Sequence, residues 1–166
     1  MRKITLLFFL ISVSSIGRIE SQTIAIYDIS LTTIWNSESH TSVPEGAHWS
    51  DLIGATHSVS NAFFELGVLA STGIKNVAES GSNGAITSEI IAAMSAGNAD
   101  QLLHNTTGFN PYGPIGTAGF TNVSISEDFP LITLVSMVAP SPDWFIAINS
   151  LNLRSGDPLT NNGWKG

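Results

Sequence analysis

From residue 23 to 35 apolar and polar side chains alternate, with Tyr27, Ile29, Leu31 and Trp35 set against Asp28, Ser30 and Thr32. Period two with β-branched residues predicts a strand. Residues 36–45 are polar and contain Pro44, a composition that predicts a loop. After His48, Trp49 and Leu52 the spacing changes: Val59, Ala62, Phe63, Leu66, Leu69 and Ala70 recur at helical intervals. A helix over about 58–72 is expected, with Ser58 or Ser60 as its N-cap. Gly73 breaks that pattern, residues 74–80 add a turn or two, and 81–84 form a flexible connection. A second helix is expected over about 85–96, with Ile86, Ile90, Ile91 and Met94 on one face and Gly97 as the C′ glycine.

Between residues 105 and 117 the chain carries Gly108, Pro111, Gly113, Pro114 and Gly116, which predicts a surface loop. Three β-rich runs follow, at 120–125, 131–139 and 144–153. The middle run is apolar on both faces from 131 to 138, so it belongs at the centre of a sheet. Strands at both ends of the chain with helices between them predict a mainly β fold, an antiparallel β-sandwich with helical insertions.

The amino terminus adds a separate element. Arg2 and Lys3 precede an apolar run over 4–13, followed by the small residues Ser14, Ser15 and Gly17. This is the layout of a secretory signal peptide over residues 1–21, cleaved after Gly17 or Ser21 and too short to span a bilayer, which takes about 20 apolar residues. The remaining 22–166, about 145 residues, suits one domain with a sizeable core. Beyond Ser21 three basic residues, Lys75, Arg154 and Lys165, face twelve acidic ones. Such a surface repels phosphate backbones and anionic headgroups, which argues against nucleic acid and membrane partners, and it suits a hard divalent cation. The chain has no cysteine, so no disulfide supports it.

Two stretches carry a family resemblance: His48-Trp49-Ser50-Asp51-Leu52-Ile53-Gly54-Ala55-Thr56-His57-Ser58, and Ala139-Pro140-Ser141-Pro142-Asp143-Trp144-Phe145. Between them Ala70-Ser71-Thr72-Gly73-Ile74-Lys75 and Ala78-Glu79-Ser80-Gly81 follow in order. Together they resemble the spondin domain of extracellular-matrix spondins over about residues 27–153. The resemblance implies an antiparallel β-sandwich with a Ca²⁺ site at one end, a part in adhesion, matrix attachment or microbial-surface recognition through an extracellular protein or glycan ligand, and no catalytic activity. It assigns Asp143 as a Ca²⁺ ligand. A carboxylate in a proline-stiffened turn before a strand suits that role chemically. The remaining ligands of the family site are expected in an acidic segment beyond Gly166, which makes the domain C-terminally incomplete. A further family carboxylate aligns with Ser124, and Glu127 and Asp128 are its neighbours in sequence.

Several residues carry a second reading. Asp143 also suits the capping of its own turn by hydrogen bonding to nearby backbone. Trp49 and Trp144 are expected to fill the core, and His48 and His57 to serve as structural hydrogen-bonding groups, since neither cysteines nor an HExxH word accompany them. Asn105-Thr106-Thr107 and Asn122-Val123-Ser124 fit the glycosylation sequon. An exported hydrolase built from Ser50 or Ser58, His48 or His57, and Asp143 is the competing class. No Gly-x-Ser-x-Gly elbow marks a nucleophile. A metal-free carbohydrate-binding or surface-layer module is the third reading.

Overall fold

The computed structural model describes residues 23–155 and 163–165. The segment read as a signal peptide lies outside the described residues. Among those described, the elements in chain order are β1 (Ile24–Ile34), β2 (His48–Trp49), β3 (Leu52–His57), α1 (Thr72–Ser80), α2 (Gly84–Ser95), β4 (Ala99–Asn105), β5 (Ile115–Ser126), β6 (Leu131–Ala139) and β7 (Phe145–Asn152). None of the helices is long and apolar enough to cross a membrane.

β1 pairs antiparallel with β5 as a two-stranded ribbon, running from Ile24 opposite Ser126 to Ile34 opposite Ile115. The second sheet is antiparallel in the order β4-β3-β6-β7, and β2 pairs with the far end of β6, His48 opposite Ala139. The ribbon covers one face of this sheet and the helices cover the other. Period two explains how one strand serves both cores. Leu52, Ile132 and Leu134 point toward the ribbon, where they meet Val123, Ile125 and Phe109. Ile53, Ala55 and Val135 point toward Ile74, Val77, Ile86 and Ile90 of the helices. A Leu, Ile or Val buried in this way contributes about 1.5–3 kcal/mol, which is why β3 and β6 must be apolar on both faces. The mainly β, antiparallel sandwich with helical insertions expected from the pattern is the observed architecture.

The first strand keeps its expected alternation. Tyr27, Ile29 and Leu31 pack on the core while Ile24, Ile26 and Ile34 face outward. Tyr27 also donates its hydroxyl to the Lys165 carbonyl at 2.5 Å and meets Trp164 edge-on at 6.5 Å, tying residues 163–165 to the ribbon.

The helix expected over 58–72 does not form. Residues 58–71 are irregular, and Asn61 (φ 57°) and Gly67 (φ 85°) adopt left-handed backbone that an α-helix cannot contain. The helix starts instead at Thr72, where Ser71 is a better cap than Ser58 or Ser60. Its Oγ accepts the Ile74 N–H at 3.2 Å and donates to Glu89 Oε2 at 2.7 Å, while Glu89 Oε1 accepts the Gly73 N–H at 2.7 Å. A carboxylate from α2 thus satisfies donors at the start of α1. Gly81 (φ 64°) then closes α1 in the left-handed conformation, donating to Val77.

The second helix lies where expected, but its buried face is narrower than the four residues named for it. Ile86 and Ile90 are buried, whereas Ile91 and Met94 are 52% and 37% exposed. The strand β4 was hidden in sequence because its polar residues outnumber its apolar ones, ADQLLHN. Pairing with β3, Ala99 opposite His57, makes it a strand. The loop expected over 105–117 shrinks to 106–114.

Candidate functional site

The turn between β6 and β7 holds the one residue that the sequence assigned to metal. Val138 donates its N–H to the Trp144 carbonyl at 2.9 Å, closing the hairpin. Inside it Ser141 Oγ accepts the Trp144 N–H at 3.0 Å and donates to the Val138 carbonyl at 2.5 Å. Ser141 therefore performs the capping that Asp143 was the alternative candidate for. Asp143 is exposed, and no residue described here forms a hydrogen bond or ion pair with its carboxylate. It borders a cavity of about 210 Å³ floored by Ala70, Ile74, Ala78 and Phe145, with Lys75 and Glu79 at its edge. Lys75 Nζ lies 3.9 Å from Glu79 Oε2, with both side chains exposed, and screens that carboxylate.

Ca²⁺ takes six to eight oxygen ligands. Asp143 has the chemistry of one such ligand, an exposed carboxylate that no described residue engages. Among the described residues no group of three or more His, Cys, Asp or Glu gathers around a common point, so they supply part of a ligand set and not the whole. Glu127 and Asp128 do not add to it. They precede β6 at Leu131, whereas Asp143 follows its other end at Ala139, a separation of roughly 25 Å at the rise of a strand. Glu127 is moreover paired with Arg154 at 2.6 Å. Ser124, on β5 opposite Ile26, has its carbonyl held by the Gln101 side chain, next to the Thr56–Ile132 end of the sheet.

Of the residues of the hydrolase reading, His57 and Ser58 lie at the far end of the sheet from the Asp143 turn, whereas His48 and Ser50 flank the Ala139 end of β6 and are engaged with other partners. His57 pairs with Leu131 at the end of β6 opposite the Asp143 turn. It is fully buried between the Val59 carbonyl (2.9 Å) and Thr133 Oγ1 (2.8 Å), and burial pushes its imidazole below the ordinary histidine range, against a smaller upward pull from the Val59 bond. Ser50 Oγ accepts the Met137 N–H at 2.8 Å, and Ser58 Oγ donates to the Asn98 carbonyl at 3.3 Å. His48 holds the Gly46 carbonyl at 2.7 Å and stacks on Tyr112 with ring centroids 4.8 Å apart. The structural role expected for both histidines is the observed one.

The two tryptophans divide. Trp49 is half-buried against the core, donates Nε1–H to the Pro114 carbonyl at 3.2 Å and lies near Trp35 and Phe109. Trp144, also expected in the core, is 60% exposed beside Asp143. The turn explains the difference: with its N–H fixed to Ser141 and its carbonyl to Val138, the backbone directs the ring outward. Leu66, Val68 and Leu69 of the irregular segment are exposed as well, Leu69 almost completely at 97%, and the segment leads into Ala70 at the wall of the Asp143 cavity. The sequence concealed this apolar rim, because helical spacing placed Leu66 and Leu69 on a buried face.

The family model described as Spondin_N matches residues 25–164. Human Spondin-2 is 32% identical over 145 residues, which cover 82% of this chain and 42% of the relative. Spondin-2 of Rattus norvegicus is 33% identical over 141 residues, covering 80% and 41%. Spondin-1 of Mus musculus is 28% identical over 133 residues, covering 78% of this chain and 16% of the relative. The chain thus spans less than half the length of these relatives.

Proposed function

Because this chain belongs to the Spondin_N family, we propose that it is a secreted recognition domain in which Asp143 contributes an oxygen ligand to Ca²⁺ and the exposed side chains around it contact an extracellular partner. The spondin relatives are secreted extracellular-matrix proteins, and a secreted location is theirs and this chain's alike. The observation that carries the metal reading is the division of labour in the turn: Ser141 takes both backbone bonds, so Asp143 is left with a free carboxylate. When bound, Ca²⁺ supplies positive charge to an acidic domain and draws oxygen groups toward it. The chain's own residues do the positioning. Pro140 and Pro142 stiffen the backbone on either side of Ser141, β6 and β7 anchor both ends of the turn, and Trp144 stands next to the carboxylate as an exposed aromatic anchor. The partner is an extracellular protein or glycan, and adhesion or matrix attachment is the activity that this reading supports rather than catalysis.

One observation favours a second reading, a metal-free recognition module. The described residues gather no multi-carboxylate cluster, while Trp144, Leu66 and Leu69 are exposed together with the Asp143 turn as apolar contact groups. Calorimetric titration of the full-length protein with Ca²⁺ decides between the two, since the described residues supply only part of a ligand set. Heat of binding that disappears in Asp143→Asn supports the metal role. A wild-type protein that binds no Ca²⁺ leaves the metal-free module.

A further inference from the structure

The fold treats the two Asn-x-Ser/Thr words of the sequence differently. Asn105 ends β4 and is half-buried, and its amide is fully used: Nδ2 donates to the Gly119 carbonyl of β5 at 2.8 Å, and Oδ1 accepts the N–H and the hydroxyl of Thr107 at 3.0 and 2.8 Å. This amide is a strut between the two sheets. A sugar on Nδ2 has to stand in the cleft between β4 and β5 and disturb that bond.

Asn122 lies on the outward side of β5, at the irregularity where the register passes from Tyr27 opposite Val123 to Ile29 opposite Phe120. Its backbone is fixed, with its N–H donated to Asp28 Oδ1 at 2.9 Å and φ at 57°, a left-handed value that asparagine tolerates better than most residues. Its side chain is exposed, and none of the described residues holds its amide. Val123, 3% exposed, anchors the middle of the word in the core, so Asn122 and Ser124 both turn away from it.

We infer that Asn122 is an N-glycosylation acceptor of this secreted chain and that Asn105 is not. The co-reactant is an oligosaccharide carried on a polyprenyl diphosphate. Asn122 Nδ2 forms a bond to C1 of the sugar, the bond from C1 to the diphosphate oxygen breaks, the lipid diphosphate leaves with the electron pair, and the amide loses one proton. Transfer acts on the translocating chain, and native packing decides which glycan the folded protein accommodates: one on Asn122 projects into solvent without breaking a bond.

The test is secretion of the full chain from a eukaryotic cell that carries an oligosaccharyltransferase, followed by treatment with an asparagine-specific glycosidase and intact-mass measurement. One glycan is expected, with Asn122 converted to Asp by its removal. Asn122→Gln and Ser124→Ala should abolish it, Ser124→Thr should keep it, and Asn105→Gln should leave it in place. Secreted wild type without a glycosidase-sensitive mass overturns the inference, as does a glycan that survives Asn122→Gln or one lost in Asn105→Gln. Comparing Ser124→Ala with Ser124→Thr at equal secretion separates loss of the acceptor word from loss of folding.

Discussion

Thr133 Oγ1 lies 2.8 Å from His57 Nε2 and at the same time 2.9 Å from the backbone nitrogen of Ser150. The Val59 carbonyl at 2.9 Å can only accept from His57 Nδ1, so Nε2 of the neutral ring is left to accept, and the Thr133 hydroxyl, while accepting from Ser150, donates to it. This relay joins β7, β6 and β3 across a fully buried neutral imidazole.

The relay sets a pH dependence. The folded pKa of His57 is depressed by burial, so the unfolded state binds its proton more readily. The associated stability is present above the unfolded value of about 6.5 and is lost as pH falls through the folded value. Urea unfolding at pH 7.5 and pH 5.5 should show this loss in the wild type. His57→Leu should lose about 1–3 kcal/mol at pH 7.5, because Thr133 and Val59 lose a partner, and its remaining pH dependence should be shallower. An unchanged difference between the two pH values in the variant would remove His57 as the source.

A second expectation concerns the metal. Ca²⁺ bound by the folded state alone at about 100 times Kd stabilises it by about 2.7 kcal/mol, so the melting temperature should rise with Ca²⁺. Asp143→Asn should reduce that rise while its apo stability stays within about 0.5 kcal/mol of wild type, since the carboxylate is exposed and unengaged. Equal Ca²⁺ response in the two proteins would detach Asp143 from the metal.

The tryptophans offer a paired test of the corrected burial. Trp49→Ala should cost about 3 kcal/mol through lost packing and the lost bond to Pro114. Trp144→Ala should change stability by no more than about 0.5 kcal/mol. Thermal melts of the two variants would contradict the structure if their order were reversed.

Among the described glycines, Gly54 is the most tightly enclosed by neighbouring backbone. A Cβ there would collide with the Thr133 carbonyl and the Leu134 Cα, backbone atoms of the neighbouring strand β6 that cannot move aside. Gly54→Ala should cost about 3 kcal/mol or more by forcing the β3–β6 pair apart. A variant with wild-type denaturant midpoint would show that the sheet gives more readily than its close packing suggests.

What the sequence determined by itself was whatever repeats locally. The period-two run of β1, the apolar length of β6 and the position of α2 before Gly97 were all legible, because each is written in neighbouring residues. The spondin words, including Pro140-Ser141-Pro142-Asp143-Trp144, were legible for the same reason. Tertiary structure decided the rest. The spacing Val59, Phe63, Leu66, Leu69 suits a helix, yet Phe63 packs against His57 and the helical core while Leu66 and Leu69 face solvent, a choice made by contacts far along the chain. β4 is a strand only because β3 offers it an edge. The cap of α1 depends on Glu89, eighteen residues away from Ser71. At the Asp143 turn the sequence offered two roles for one carboxylate, and the choice fell to the Ser141 hydroxyl, whose two short bonds leave Asp143 and Trp144 directed outward. Local periodicity records which faces a segment can bury; only the folded chain determines which faces find a partner.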